Sequence, residues 1–359
     1  MEANSPEGTE PPRAVGRPPL QRALLKAEPE DFVVDEEPAY LPSGEGEHLF
    51  VRFEKRGLDT EEAVDRIASG LGVPSRDCGF AGRKDRHALT RQWMSLPCPA
   101  RERAAREAAA LALELPQIRI LEARLHGNKL RTGHLRGNAF DLLLRDVEGD
   151  LDAVTPALER LVEGGLPAFF GEQRFGRTNL ARARAWLVEG GRAPHPRDRK
   201  FLVSVLQSQL FNELCRERLG MPRGLATIVE GDLARKEDTG GLFVVEDVAE
   251  AQGRADRFEL SATGPMFGPS MRWPSGAAAE LERAVLTRHG LDDATLARFG
   301  RDGEGTRRPY RVPVRRVGDA PLAERMAAGL RLRFWLPSGA YATTLVRELC
   351  AAVTQPGGS

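Results

Sequence analysis

The pattern that most constrains this chain is an interruption. From Leu20 to Gly164, short segments with strand or helix periodicity follow one another. From about Gly165 the loops lengthen and fill with Pro and Gly, as in GRAPHPRD and ATGPMFGPSMRWPSG, around one strong amphipathic helix, KFLVSVLQSQLFNELCRERLG. Then GLRLRFWLPSGAYATTLVREL restores a clean strand, tight loop and helix. The pattern predicts a second domain inserted into a first, with the final segment returning to finish the first domain's sheet. At 359 residues the chain is long enough for two cores. The expected layout is a disordered Pro-, Glu- and Gly-rich tail over 1–20, a discontinuous first domain over 21–164 and 313–359, and an insertion over 165–312.

In the first domain, DFVVDEEP and HLFVRFEKRG read as strands, and alternation puts Leu49, Val51 and Phe53 on one face. DTEEAVDRIASGLG reads as a helix with Thr60 as N-cap, acidic residues in its first turn, Val64, Ile67 and Leu71 at helical spacing, and Gly72 as its stop. The stretch GFAGRKDRHALTRQWMSL, residues 79–96, has a short apolar strand before Gly82 and a second run, QWMSL, after it. ARERAAREAAALALEL is then a helix, QIRILEARLH a strand, GNAFDLLLRDV a strand entered through Gly137 and Asn138, and LDAVTPALERLVEGG a helix with a glycine stop. No internal repeat is visible.

No stretch approaches the roughly 18 uninterrupted apolar residues of a membrane span, and the tail lacks the basic start and apolar run of a signal peptide. Cys78, Cys98, Cys215 and Cys350 are widely spaced, with no CxxC pair and no Cys/His cluster. They read as reduced thiols of a soluble cytoplasmic protein. The formal net charge of zero argues against a generic nucleic-acid binder. Its distribution argues otherwise: residues 1–75 carry a net −8 and residues 76–145 a net +7. Of 52 basic residues only six are lysine. Bidentate phosphate contacts reward such a bias, and a GC-rich genome produces it as well, so the local clustering is the better clue.

Asp85 lies in that basic region between Lys84 and Arg86, with Arg83 and Arg91 near, in a loop between ordered segments. A solvated ion-pair loop is one reading. The other is a catalytic carboxylate: flanking glycines allow a ligand close to the backbone, Phe80 and Trp93 are available to exclude water, and a neighbouring cation favours the ionised form. Such an aspartate serves as nucleophile or base. No second carboxylate stands at fixed spacing to complete a glycosidase pair. Phosphate-binding loops, dinucleotide fingerprints, HExxH and the GxSxG elbow are all missing from the sequence, and the six histidines form no ligand pattern. His87 reads as structural or phosphate-facing, and neither metal nor cofactor is expected. Phe32, Asn138, Phe140 and Tyr341 supply aromatic faces and an amide, as needed to hold one unstacked base; as single residues, Asn138 also reads as a turn and Phe140 as core.

The motifs AGRKDRHALTRQWMSL, LRGNAFDLLLRDV, GLPAFFGEQRFGRTNL and RFWLPSGAYATTLVREL, in that order, closely resemble those of the bacterial tRNA pseudouridine synthase D family, and LKAEPEDFVVDEEP resembles its start. The resemblance runs from about residue 22 to 350. It implies an α+β fold: a pseudouridine synthase catalytic domain on a curved mixed β-sheet flanked by helices, interrupted by an inserted α/β family-specific domain. It also implies a tRNA partner and isomerisation of uridine 13 in the D-arm to pseudouridine. Position by position, Asp85 matches the catalytic aspartate, and Phe32, Asn138 and Tyr341 match substrate-contacting positions. Phe140 matches the aromatic that in this family takes the place of the active-site tyrosine of other pseudouridine synthases. Lys26 matches a recurrent lysine, and either Lys26 or Lys84 is expected to pair with Asp85. Tyr341 stands where close relatives are expected to have Phe; stacking survives, and the added hydroxyl needs a partner. Arg83 falls at a position the family fills variably. Gln173, Arg174 and Phe175 either line the cleft between domains or seal their junction, and a monomer is the default. The competing reading is a non-catalytic RNA-binding or RNA-folding module.

Overall fold

In a computed structural model, the structure describes residues 12–171, 174–176 and 178–356. The chain divides into two compact units, residues 18–159 with 314–356, and residues 12–17 with 160–313. Of the expected tail, residues 1–11 lie outside the described residues. Residues 12–19 form turns in which Val15 is buried and its carbonyl accepts from Arg160.

The first unit is built on a mixed sheet of ten strands among the described residues. Its first seven in chain order are β1 (Leu20–Leu24), β2 (Phe32–Pro38), β3 (His48–Arg56), β4 (Gly79–Phe80), β5 (Leu89–Pro97), β6 (Ile118–His126) and β7 (Leu135–Gly149). The main path runs from Ala323–Met326 through Gly329–Pro337, β7, β2, β5 and β3 to β6. The last strand, Cys350–Thr354, pairs parallel with β1. Residues from both ends of the chain therefore complete one sheet. β2 and β5 are parallel neighbours; β7 is antiparallel to both β2 and Gly329–Pro337.

Alternation fixes the faces. Leu49, Val51 and Phe53 have no exposed surface and pack under helix α1 (Thr60–Gly70) against Ala63, Val64 and Ile67. Gly72 stops the helix with φ +66°. Thr60 is not its N-cap. Asp59 occupies that position, and the Thr60 hydroxyl is engaged elsewhere, donating to Gln92 at 3.2 Å and accepting the Lys84 N–H at 2.8 Å. Gly137 and Asn138 are not a turn either: both lie inside β7, opposite Pro337 and Leu336. A Cβ on Gly137 would sit 2.4 Å from the Trp335 ring and 2.3 Å from the Leu336 carbonyl, so only glycine lets the two strands close there. Helix α2 (Arg103–Leu111) contributes Ala110 to the same core as α1.

The second unit is organised by the helix Pro196–Leu219, which begins on Pro196 after the His195 cap. The sequence reads as amphipathic, but Leu202, Val203, Val205, Leu206, Leu210 and Leu214 are all buried, along with Gln207, Asn212 and Arg218. Apolar contact nearly all round marks a central helix. Around it lie the helices Asn179–Leu187 and Gly276–Arg288 and a four-stranded sheet whose inner strands are Leu233–Lys236 and Leu260–Met266. No described helix is long and apolar enough to cross a membrane. All four cysteines are buried.

Candidate active site

Asp85 owes its place to the way β5 shares one edge. β2 pairs with β5 over residues 89–91 and β4 over residues 94–95, so the loop 81–88 leaves the sheet where one neighbour hands over to the other. Contacts from α1, β2 and β3 hold that loop around Asp85. The Lys84 N–H donates to Thr60 Oγ1 on α1, and the Lys84 ammonium pairs with the buried carboxylate of Glu36 on β2. Glu36 also accepts the Trp93 N–H at 3.3 Å. From β3, Lys55 Nζ donates to the backbone carbonyl of Asp85 itself at 2.8 Å.

The Asp85 carboxylate projects the other way. It is 57% exposed, and Oδ2 accepts from Lys26 Nζ at 2.8 Å. Of the two lysines expected as partners, Lys26 takes the role and Lys84 is committed to Glu36. The Lys26 backbone sits in the left-handed region at φ +62°, a conformation that costs a non-glycine residue about 1 kcal/mol and gathers at functional positions. Its ammonium lies 4.2 Å from the centre of the Phe32 ring. Phe32 is fixed by its neighbour: Asp31 is buried, accepts the Glu28 N–H, and holds Arg145 of β7 through two bonds of 2.7 and 2.8 Å.

Phe32 meets Phe140 edge to face at 6.2 Å, and Phe140 stacks on Phe334 at 5.3 Å. Register explains the alignment, since Phe140 is directly opposite Phe334 on one side and Val34 on the other. Asn138, two residues earlier on the same face, stands opposite Glu36 and Leu336, and its Oδ1 is buried with no hydrogen-bond partner among the described residues. An unmet buried acceptor costs about 1–3 kcal/mol, and a bound donor would remove that cost.

Contacts therefore link Asp85, Lys26, Phe32 and Phe140 in one run, with Asn138 beside it on β7. Tyr341 stands apart at the start of the helix Ala342–Leu349, 72% exposed, and its hydroxyl has no partner among the described residues. Trp93 and Phe80 do not shield Asp85: Trp93 packs with Phe50, Ala81 and Leu130, and Phe80 packs into the core beneath α1. Their positions on β5 and β4 turn them into those cores. Arg83 and Arg86 extend from the loop into solvent, leaning on Glu61 and Asp59, while Arg91 is taken by Glu54 and Asp35. His87 is exposed. In the second unit, Arg174 lies 5.7 Å from the Phe170 ring, and Asn212 holds the Phe170 backbone through two bonds of 2.9 Å; Gln173 lies outside the described residues.

The residues that sequence reasoning missed are Lys55, Glu36, Thr60 and Phe334. Burial pushes the Lys55 ammonium down to about 8, against the opposing pull of Asp85 and Asp59 and with help from Lys84. The arrangement supplies one accessible carboxylate, a row of nearly buried aromatic rings beside it and an unmet acceptor. The other carboxylates the loop touches, Glu36, Asp59 and Glu61, are each held by one of its own cations. That leaves chemistry by a single carboxylate rather than by a pair.

The family model for tRNA pseudouridine synthase D (TruD) matches residues 19–190 and 179–349. A protein of Anaeromyxobacter dehalogenans called tRNA pseudouridine synthase D is 47% identical over 341 residues, 92% of this chain and 93% of the relative. One of the same name from Thermus thermophilus is 44% identical over 330 residues, 90% and 88% of the two chains. A crystal structure of the putative tRNA pseudouridine synthase D of Methanosarcina mazei superposes with a TM-score of 0.74 at 22% identity, covering 93% of this chain and 95% of that one, and shares the fold.

Proposed function

The chain belongs to the tRNA pseudouridine synthase D family, and on that footing we propose that it isomerises uridine 13 in the D-arm of tRNA to pseudouridine, as a cytoplasmic monomer without a cofactor, with Asp85 acting on the ribose. The observation that carries this reading is the half-open Asp85 carboxylate, held through a buried lysine against the Phe32–Phe140–Phe334 row.

In this reading the target uridine leaves its stack and enters the site, while Arg83 and Arg86 exchange their surface carboxylates for backbone phosphates. The uracil enters beside Phe32 and Phe140, whose nearly buried rings open to receive it, and Asn138 Oδ1 accepts its N3–H. Tyr341, exposed as it is, can cover the base from the open side. Asp85 then attacks C1′ as nucleophile or removes the 2′ proton as base; either route breaks the N1–C1′ bond. The freed uracil turns in place and bonds through C5 to C1′. C5 gives up its proton and N1 gains one, so product and substrate have the same composition and no co-reactant is needed. Lys26 orients the carboxylate throughout.

The test is to incubate the protein with unmodified tRNA transcript and map pseudouridine by carbodiimide-blocked primer extension. A stop at position 13 with wild type, lost in an Asp85→Asn protein that still binds tRNA, supports the reading. No stop with wild type, or full activity in Asp85→Asn, sinks it and leaves an RNA-binding module.

A further inference from the structure

We propose that Lys55 is a positioning residue for Asp85, an inference that rests on the role given to Asp85 above. Lys55 is on β3 in phase with Leu49, Val51 and Phe53, the residues that fill the core beneath α1, and like them it has no exposed surface. A leucine there would fill much the same space without the cost of desolvating an ammonium. Among the described residues the Lys55 ammonium forms no salt bridge, and its one hydrogen bond goes to the carbonyl of Asp85. What the lysine adds is a cation on the peptide group from which the Asp85 side chain departs.

Asp85 is thereby held at both ends by different lysines, Lys26 on the carboxylate and Lys55 on the main chain. The loop's other contacts hold its flanks, Lys84 on Thr60 and Glu36 before Asp85, and Arg86 on Asp59 and the Ala88 carbonyl under the Gly57 N–H after it; among the described residues Lys55 alone bonds the main chain of Asp85 itself. The charged groups that act on Lys55 are Asp85, Asp59 and Lys84. With its ammonium pushed down to about 8, Lys55 loses its charge as pH rises through that value, and the neutral amine keeps only a weaker bond to the carbonyl. The rate of isomerisation falls accordingly in alkali.

The experiment is single-turnover pseudouridine formation on unmodified tRNA transcript between about pH 6.5 and 9.5, a range that brackets the Lys55 titration. It uses wild type, Lys55→Met and Lys55→Arg, with tRNA affinity and thermal stability measured alongside. Wild type should show an alkaline fall near pH 8. Lys55→Met should react about 10- to 100-fold more slowly at neutral pH, as a misplaced reacting group does, with tRNA affinity unchanged, melting temperature no lower and the alkaline fall gone. Lys55→Arg stays charged throughout and should lose the alkaline fall while keeping most of the rate. Should the Met variant not fold, the Arg variant and the wild-type profile decide. A wild-type profile flat across the range, a Met variant as fast as wild type, or an alkaline fall that persists in Lys55→Arg overturns the inference alone. Wild type that forms no pseudouridine overturns the role of Asp85 and this inference with it.

Discussion

Each unit carries a cluster of charge, and the two are built in opposite ways. In the sheet unit, Lys26 is nearly sealed at 10% exposure while its partner Asp85 is more than half open, and only one carboxylate oxygen of Asp85 has a partner among the described residues. In the other unit, Arg218 and Asp232 are each 1% exposed. Asp232 takes two bonds from that guanidinium and a third from the Val229 N–H, and Arg218 lies 5.2 Å from the Tyr310 ring. Arg307 and Glu282 form a second buried pair. Burial alone would push the Arg218 guanidinium down, but Tyr310, Asp232 and Glu282 outweigh it and hold it above its usual value; burial pushes Tyr310 well up and Glu282 up. The closed cluster spends its charges on one another. The open one leaves a carboxylate oxygen for something outside the protein, and that asymmetry, rather than the mere presence of an ion pair, is what singles out the proposed site.

The sharpest way to break this contrast is to remove one carboxylate from each cluster. Asp85→Asn should lower pseudouridine formation by at least about a thousandfold, while a urea titration finds a stability loss smaller than that of Asp232→Asn, since Asp85 is more than half open to water and the asparagine amide oxygen still accepts from the buried Lys26 ammonium. Asp232→Asn should do the reverse. Leaving Arg218 buried and under-compensated costs about 3–5 kcal/mol, read in the same titration, and the protein that remains folded should react at the wild-type rate. If Asp85→Asn is the more destabilising of the two and Asp232→Asn slows the chemistry, the division of labour is wrong.

How much of this was legible in the sequence depends on what each residue's neighbours say. Asp85 stood out because flanking glycines and nearby aromatics gave an acid among cations a second reading beside the ordinary ion-pair loop, and because its motif, like those of Phe32, Asn138 and Phe140, resembled that of a known family. The strands and α1 followed from Leu49, Val51, Phe53, Val64 and Ile67, whose spacing allows one arrangement of faces. Lys55 and Glu36 were missed because a charge near a strand end reads as solvated. Yet Lys55 continues the alternation of Leu49, Val51 and Phe53, and Glu36 that of Phe32 and Val34, so both fall in the buried phase. Thr60 was misread as a cap because its hydroxyl is claimed by Lys84 and Gln92, residues distant in sequence. Trp93 was misplaced because nothing local tells which face of β5 looks toward the loop.

A middle-sized effect tests whether the open cluster bears strain for its function. Lys26→Gly removes the ammonium and relieves the left-handed backbone at φ +62° together. Stability should hold or rise by up to about 1 kcal/mol, while the rate drops about 10- to 100-fold through a misoriented Asp85. A variant both less stable and fully active would make Lys26 a packing residue, and the comparison between the clusters would lose its open member.

The smallest effect is expected at the rim. Arg83 is 80% exposed and leans on Glu61, an ion pair of the kind that contributes almost nothing to folding. If the rim of the open cluster meets RNA, Glu61 serves as a placeholder that a phosphate displaces, and the arginine's worth appears only in binding. Arg83→Gln should therefore leave the urea midpoint in place, weaken tRNA binding a few-fold at low salt, and reduce the slope of log affinity against log salt by about 1, the signature of one phosphate contact. The slope is the decisive quantity, because an arginine that merely tethers the loop to Glu61 would weaken binding through geometry and leave the number of displaced counterions as it was. An unchanged slope would place the phosphates elsewhere, and the openness of Asp85 would then have to be explained by the base and sugar alone.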